Sequence, residues 1–442
     1  MSAGFRITPA LWDKIHHFAS FPQTGVSLQQ MVLFGQNPSQ GTLLKASQFL
    51  AEELPVRLAH RVKELESLPH NLSDMHSMYK VRNWYAQSFE ELFNFPPIQL
   101  PPDIRQALMV PRTEHALPVS IPNPSLKHLD DDAHTNGHVS GSSTGSNGYN
   151  KLKLRVPMER RYYADTTAVV NWPPQISEYN KRFTRVLETI KTRHDPTVTT
   201  VAQGVLEWKR LHNARHIGLD IQTWLDRFYM SRIGIRFLFG QHIALNTQQA
   251  HDVYVGIICT KANVHDIVQE AIENARFVCE EHYAMFKGPP VQLICPKDLT
   301  FAYVPGHLSH ICFELLKNSL RAVVERYGVE NEDHFPPIKV VVVEGKEDIT
   351  IKVSVEGGGI PRSAIPLLWT YMYTTMENQA IVQNFQASDF KAPMAGFGYG
   401  LPLSRLYARY FGGDLRLFAM DGFGTVVYIH LNRLSSCREP LL

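Results

Sequence analysis

The chain has 442 residues, enough for two or three domains with separate cores, and its 44% hydrophobic and 19% charged content is that of an ordinary soluble globular protein. A net charge of +2 excludes a polyanion-coating protein and speaks against nucleic acid as a partner. The five cysteines (Cys259, Cys279, Cys295, Cys312 and Cys437) include no CxxC pair and no metal-ligand spacing, so neither a disulfide framework nor a metal centre is indicated, and no apolar run approaches the ~18 residues of a membrane span.

In chain order, the opening stretch MSAGFRITPALWDKIHHFAS carries only Arg6 and Lys14 as strong cations. It reads as the start of a domain and not as an Arg-rich transit peptide, which leaves import into an organelle open. Residues 1–96 form the first part of a helical unit. In ASQFLAEELPVRLAHRVKELESLP, Phe49, Leu50, Leu54, Leu58, Val62 and Leu65 recur at three- and four-residue steps, the stripe of a buried helix face. Over 97–170 the pattern dissolves, first into PPIQLPPD and then into HLDDDAHTNGHVSGSSTGSNGYN. That composition cannot bury enough surface to offset its ordering entropy, so a low-complexity, largely disordered insertion is expected. Helical patterning returns over 171–250 in ISEYNKRFTRVLETIKTRH, TVTTVAQGVLEWKRLH and IQTWLDRFYMSRIGIRFLFGQH. The two helical stretches read as one interrupted antiparallel bundle.

From 251 to 442 the texture changes. Helices at about 264–284 and 306–327 precede the β-rich runs IKVVVVEG and DITIKVSVEGGG, and DLRLFAM and GTVVYIHL flank a turn at Asp421-Gly422. Irregular alternation of helices and hairpin-like strand pairs predicts an α+β domain with helices on one face of a mixed sheet.

The helix HLSHICFELLKNSLRAVVERYG places Leu308, Ile311, Cys312, Leu315, Ser319, Ala322 and Val323 on one stripe. His310, Glu314, Lys317, Asn318 and Arg321 share another. An exposed helix commonly carries charges at this spacing, so the helix alone decides nothing. Further on, Glu356-Gly357-Gly358-Gly359-Ile360-Pro361 directly follows a strand, and Gly396-Phe397-Gly398-Tyr399-Gly400-Leu401 directly precedes a helix. Glycines let backbone amides approach an anion, and a helix N-terminus adds partial positive charge. A helical Glu/Asn pair, a strand-ending glycine triplet and a helix-opening GxGxG, in that order, form a specific signal for a triphosphate site.

This order resembles the asparagine box and two glycine boxes of the Bergerat (GHKL) ATP-binding superfamily, and within it the family of mitochondrial pyruvate dehydrogenase kinases, in a fungal-like form. VSLQQMVLFG, ELPVRLAHRVKEL, TVTTVAQGVLEWK, LDRFYMSRIGIR, FELLKNSLRAVVE, TYMYTT and AGFGYGLPLSRLYARYFGGDL carry the resemblance across nearly the whole chain apart from the insertion. The last of these differs from the corresponding segment of branched-chain ketoacid dehydrogenase kinases. The resemblance implies an antiparallel helical bundle followed by a Bergerat-type α/β sandwich. It also implies a mitochondrial matrix enzyme that uses ATP and Mg²⁺ to phosphorylate a serine of the pyruvate dehydrogenase alpha subunit.

Roles follow residue by residue from that resemblance. Glu314 would be the general base and His310 its hydrogen-bonding neighbour, although a structural histidine is an equally simple reading. Asn318 would hold Mg²⁺. Lys317 and Arg321 would neutralise phosphate charge, and Gly396, Gly398 and Gly400 would present amides to it, flanked by Phe397, Tyr399 and Leu401. Thr374 and Thr375 would reach the nucleotide from a lid over about 361–396. Val355, Gly357, Gly359 and Thr425 would also belong to the nucleotide site. Outside this module, Tyr85, Ser88, His194, Arg232 and Arg236 match a pocket that senses pyruvate, and Val26, Phe34 and Phe49 match one for the lipoyl arm of the acetyltransferase core. Interhelix ion pairs would account for the two arginines as well, and core packing for at least one of the apolar residues. A homodimer or paralogue heterodimer is implied.

The sequence departs from the family pattern at Val355, where an aspartate accepts the adenine amino proton, and at Val426, where another aspartate is usual. Glu356 cannot replace the first, because adjacent strand residues face opposite ways. Gly234 stands where serine is usual, and SSCREPLL lacks the long Asp-Trp tail of animal members, which puts lipoyl-domain recruitment in question. The alternative to a kinase is therefore a catalytically weakened paralogue acting as a regulatory partner of the complex or of an active kinase. A sensor histidine kinase is disfavoured by Glu314, and a chaperone- or topoisomerase-type ATPase by the preceding helical bundle.

Overall fold

The computed structural model describes residues 5–36, 38–109, 118, 120–124, 172–214, 216–249, 251–373 and 398–441. Its first half is helical: α1 (Pro9–Phe18), α2 (Leu28–Gly35), α3 (Gln40–Glu66), α4 (His76–Phe93), α5 (Pro102–Met109), α6 (Pro174–His194), α7 (Thr197–Leu211) and α8 (Leu219–Thr247). Local chemistry sets the helix starts. Ser27 and Gln30 close a capping box at α2, and the Ser39 hydroxyl accepts from Thr42 N at α3. The predicted stripe of α3 is buried, Leu54, Leu58 and Val62 completely, against α4, α6 and α8. The two sequence-distant helical stretches thus share one core.

Structure extends further into the 97–170 stretch than its composition suggested. Ile104 and Leu108 on α5 pack with Leu44 and Ile176, and Ile98, Leu100 and Trp172 close the same small cluster. These apolar residues sit among the prolines at the two ends of the stretch, where a packed surface is within reach. The Gly/Ser/Asn-rich centre lies outside the described residues.

The second half holds α9 (Val264–Tyr283), α10 (Pro305–Tyr327) and α11 (Gly400–Tyr410) with two sheets. The strands β1 (Tyr254–Val255), β2 (Ile258–Asn263) and β4 (Thr300–Tyr303) pair antiparallel. The larger sheet runs β3-β5-β6-β8-β7, from β3 (Val291–Ile294), β5 (Ile338–Glu344), β6 (Asp348–Val355), β7 (Asp414–Met420) and β8 (Gly424–Asn432). β3 joins β5 in parallel and every other pair is antiparallel, so the sheet is mixed. Alternation along β6 buries Ile349, Ile351, Val353 and Val355 beneath the helices and turns Thr350, Lys352 and Ser354 to the other face. The expected helix-on-sheet arrangement is the one observed. Strands β1 to β4 were not legible, being two to six residues long and flanked by Lys, Asp and Pro.

The chain ends by returning to its beginning. Ser435 O accepts from Gln29 N, Glu439 N donates to Val26 O, and Arg438 N donates to Ile121 O. Residues 435–439 therefore run between 26–29 and 121. Below this strap the Glu439 carboxylate is buried: Arg57 Nη1 donates to its Oε2 at 3.0 Å, Val26 N to its Oε1 at 3.1 Å, and the Tyr410 hydroxyl also bonds to it. A Cβ on Gly234 would sit 2.7 Å from that hydroxyl and 3.1 Å from Arg57 Nη1, so the glycine makes room for the cluster.

Candidate functional site

A cleft of about 670 Å³ opens beside α10, within the range typical of small-molecule sites. His310, Glu314 and Lys317 are buried on α10, which a solvated charged face would not be. Lys317 Nζ donates to Glu314 Oε1 at 2.8 Å. The other carboxylate oxygen, Oε2, lies against Gly400, where a Cβ would collide with it. Gly400 is the first residue of α11, so the carboxylate stands at a helix N-terminus on the cleft wall. Asn318 and Arg321 line the same wall, Arg321 Nε 3.2 Å from Glu325 Oε1. The His310 ring meets Tyr407 edge-on at 5.0 Å, outside the cleft lining.

Gly357, Gly358 and Gly359 form the second wall. A Cβ on Gly357 would stand 2.6 Å from that of Ala322, so the triplet lies directly on α10. Gly359 has a φ of +74° and backs onto the Met420 carbonyl, a place for glycine alone. Arg326, which the motif reading missed, ties this turn to the β7–β8 turn by donating to Phe423 O at 2.6 Å, Gly422 O at 3.1 Å and Glu356 O at 3.3 Å.

The floor is apolar. Val355 and Thr425 are register partners on β6 and β8, and both line the cleft with Leu417 and Val427. Val355 thus faces the cleft, while Glu356 is exposed. Val426 belongs elsewhere. It pairs with Ser354 and Phe418 on the outer face of the sheet, away from the cleft, because strand residues alternate. Val426 therefore does not line the cleft.

The third wall comes from Ala364, Leu368 and Tyr373 together with Gly398, Gly400 and Leu401. Tyr399 is buried and outside the lining; its ring packs 5.1 Å from Tyr371 and 5.8 Å from Tyr229. Thr374, Thr375, Gly396 and Phe397 lie outside the described residues, as does the expected lid from 374 to 396.

The residues matched to a carboxylate sensor also meet. His194 stacks on Tyr85 at 4.3 Å, and its Nε2 is 3.0 Å from Ser88 Oγ. Arg232 and Arg236 act electrostatically on both Tyr85 and His194. Burial is the main cause that lowers the His194 pKa to about 3 and raises that of Tyr85 to about 12, so both stay neutral at ordinary pH. Arg236 donates to Asp195 at 2.7 Å, and Arg193, absent from the sequence reading, donates to Ser88 at 2.9 Å and to Glu91. The Arg193-His194-Asp195 run was the available signal.

A separate apolar pocket in the helical unit is lined by Met31, Phe34, Phe49, Leu50, Leu238 and His242 among others. Phe34 and Phe49 thus share one pocket. Val26 is not in the lining; it is fully buried where Glu439 bonds to its backbone.

A helix bearing Glu314 and Asn318, two glycine turns and a mixed sheet enclosing one cleft define an ATP-binding module of the GHKL class. The family model for histidine kinase-, DNA gyrase B- and HSP90-like ATPases matches residues 303–435. That for mitochondrial branched-chain alpha-ketoacid dehydrogenase kinase matches residues 25–259. Over its length the chain is 44% identical to the mitochondrial [pyruvate dehydrogenase (acetyl-transferring)] kinase of Schizosaccharomyces pombe, covering 98% of each protein. It is 37% identical to the Arabidopsis thaliana enzyme of that name, over 98% of this chain and 96% of the relative. Isozyme 3 of Homo sapiens is 34% identical, over 96% of this chain and 86% of the relative. The chain belongs to the family of mitochondrial pyruvate dehydrogenase kinases.

Proposed function

We propose that this protein is an ATP-dependent protein-serine kinase of the mitochondrial matrix that phosphorylates the alpha subunit of pyruvate dehydrogenase and switches the complex off. One observation carries the reading: the buried Glu314 carboxylate faces the cleft at Gly400, one turn from Asn318. The cleft fits a nucleotide triphosphate, since Gly400 leaves its wall open where a side chain would collide and Gly359 turns where only glycine can. Bound ATP-Mg²⁺ supplies the phosphoryl group. Asn318 would hold the metal through its amide oxygen, Arg321 would face phosphate charge, and the backbone of Gly398 and Gly400 would border it. Glu314 accepts the proton of the substrate serine, and Lys317 fixes its orientation. Positioning and charge stabilisation are the main demands of phosphoryl transfer.

The pocket around Phe34 and Phe49 would take the lipoyl arm of the acetyltransferase core, and Phe418, Val426 and Tyr428 on the open sheet face would meet a second subunit. The cluster at Arg232 and Arg236 would take pyruvate. Incubation with purified dehydrogenase complex and labelled ATP tests the whole. Phosphoserine on the alpha subunit, absent with Glu314→Gln, is the expected result; co-sedimentation without transfer would make the protein a regulatory partner instead.

A further inference from the structure

Two ends of the cleft wall, 371–373 and 398–400, are held side by side by one helix of the other unit. The side-chain amide of Gln222 on α8 pairs with both polar groups of the Tyr371 backbone: Tyr371 N donates to its Oε1 at 2.9 Å, and its Nε2 donates to Tyr371 O at 3.3 Å. One turn along α8, Asp226 Oδ1 accepts from the Tyr371 hydroxyl at 2.6 Å. The Tyr371 ring then packs on Tyr229, less than a turn further along α8, at 5.5 Å and on Tyr399 at 5.1 Å. Finally, Gly398, at a φ of +76°, backs onto the Tyr373 carbonyl, and Gly400 abuts Glu314.

We infer that Gln222 and Asp226 are positioning residues for the nucleotide: acting through Tyr371, they hold the Gly398–Gly400 backbone at the place where phosphate is to bind. This rests on the ATP-binding reading of the same cleft. Neither residue lines the cleft. Their effect passes through Tyr371 and Tyr399, whose rings are buried. Gln222 satisfies a backbone N–H and C=O together, as a neighbouring strand would, and so fixes the local direction of the chain as well as its distance.

The phosphate end of the site depends on this bracket, whereas the base end rests on the sheet floor of Val355 and Thr425. That asymmetry supplies a readout that general destabilisation would not. In the full-length protein, Gln222→Ala and Asp226→Ala should each weaken ATP-Mg²⁺ binding by about tenfold or more, while affinity for adenosine, measured by displacement, stays within about twofold. Asp226→Asn keeps an acceptor for the Tyr371 hydroxyl and should restore ATP binding. Should the alanine variants fold poorly, Tyr371→Phe removes the same hydroxyl bond while keeping the ring. Wild-type binding with alanine variants or Tyr371→Phe unaffected, or equal losses for ATP and adenosine, would overturn the bracket alone. No nucleotide binding by the wild type would overturn the cleft assignment and the bracket with it.

Discussion

The two oxygens of Glu314 are committed to different neighbours: Oε1 receives the Lys317 ammonium at 2.8 Å, and Oε2 lies against the α-carbon of Gly400. Gly400 has an ordinary helical backbone, so alanine there would meet no conformational penalty, only the carboxylate. Gly400→Ala should therefore push Glu314 out of line and lower kcat by about a hundredfold, the low end for loss of a general base. ATP affinity should change far less. Kinase assays beside nucleotide titration check this, and an unchanged kcat would remove Glu314 from the chemistry.

The two valines that depart from the family pattern should behave differently. Val355 lines the cleft floor, so Val355→Asp should offer a charged acceptor to the adenine amino group. A bond of about 1.5–3 kcal/mol corresponds to roughly tenfold to a hundredfold in ATP affinity. Val426→Asp, on the outer sheet face beside Phe418, should leave nucleotide binding unchanged and weaken self-association. Titration calorimetry and sedimentation read the two effects separately.

Those valines also mark how far the sequence could be read. Long helices announce themselves by an apolar stripe, as Leu54, Leu58 and Val62 do, and the β5–β6 and β7–β8 hairpins by runs of β-branched residues around a charged or glycine turn. Glu314, Asn318 and the glycine turns were legible because their residue types are dictated by what they must contact. Gln222 was not: its partner Tyr371 is 149 residues away, and a glutamine on a helix has no local signature. β3 forms only because distant β5 offers it an edge. Strand alternation from Thr425 and Val427 is enough to place Val426 on the outer face.

Arg232 lies among Tyr85, His194 and Arg236, all buried or half-buried. Pyruvate or dichloroacetate should lower activity, and Arg232→Ala should abolish that response while leaving activity without effector measurable. Dose–response curves on both proteins check the outcome; equal inhibition would reassign the arginines to packing.

Two buried histidines, His194 and His242, and the half-buried His307 give the fold a pH dependence. Burial lowers the pKa of His194, His242 and His307 to about 3. Unfolded histidine titrates near ~6.5. Between those values the unfolded chain holds more protons than the native one, so stability is whole above the upper value and falls as pH drops. Each histidine contributes a slope of about 1.4 kcal/mol per pH unit in that window. Asp414, held below its usual range by Arg409 and Arg405 despite burial, acts only at lower pH, where its protonation removes that stabilisation. Urea midpoints from about pH 7 to about pH 5 should show the loss, and His242→Gln should reduce its slope.

Glu439 is the counter-charge of a fully buried arginine, with Glu53 Oε1 2.8 Å from Arg57 Nε as the only other carboxylate partner among the described residues. Glu439→Ala should cost about 3 kcal/mol or more, because it strands buried charge. Glu439→Gln, which keeps acceptors for Arg57 and Val26, should cost less. Thermal and urea unfolding measure the difference.

The strap has a consequence for biogenesis. Glu439 follows Val26 by 413 residues, yet it neutralises a cation on α3, and its segment 435–439 pairs with backbone at 26–29. The helical half therefore cannot reach its final state until residues 435–439 have been made, and until then Glu53 is the carboxylate left to Arg57.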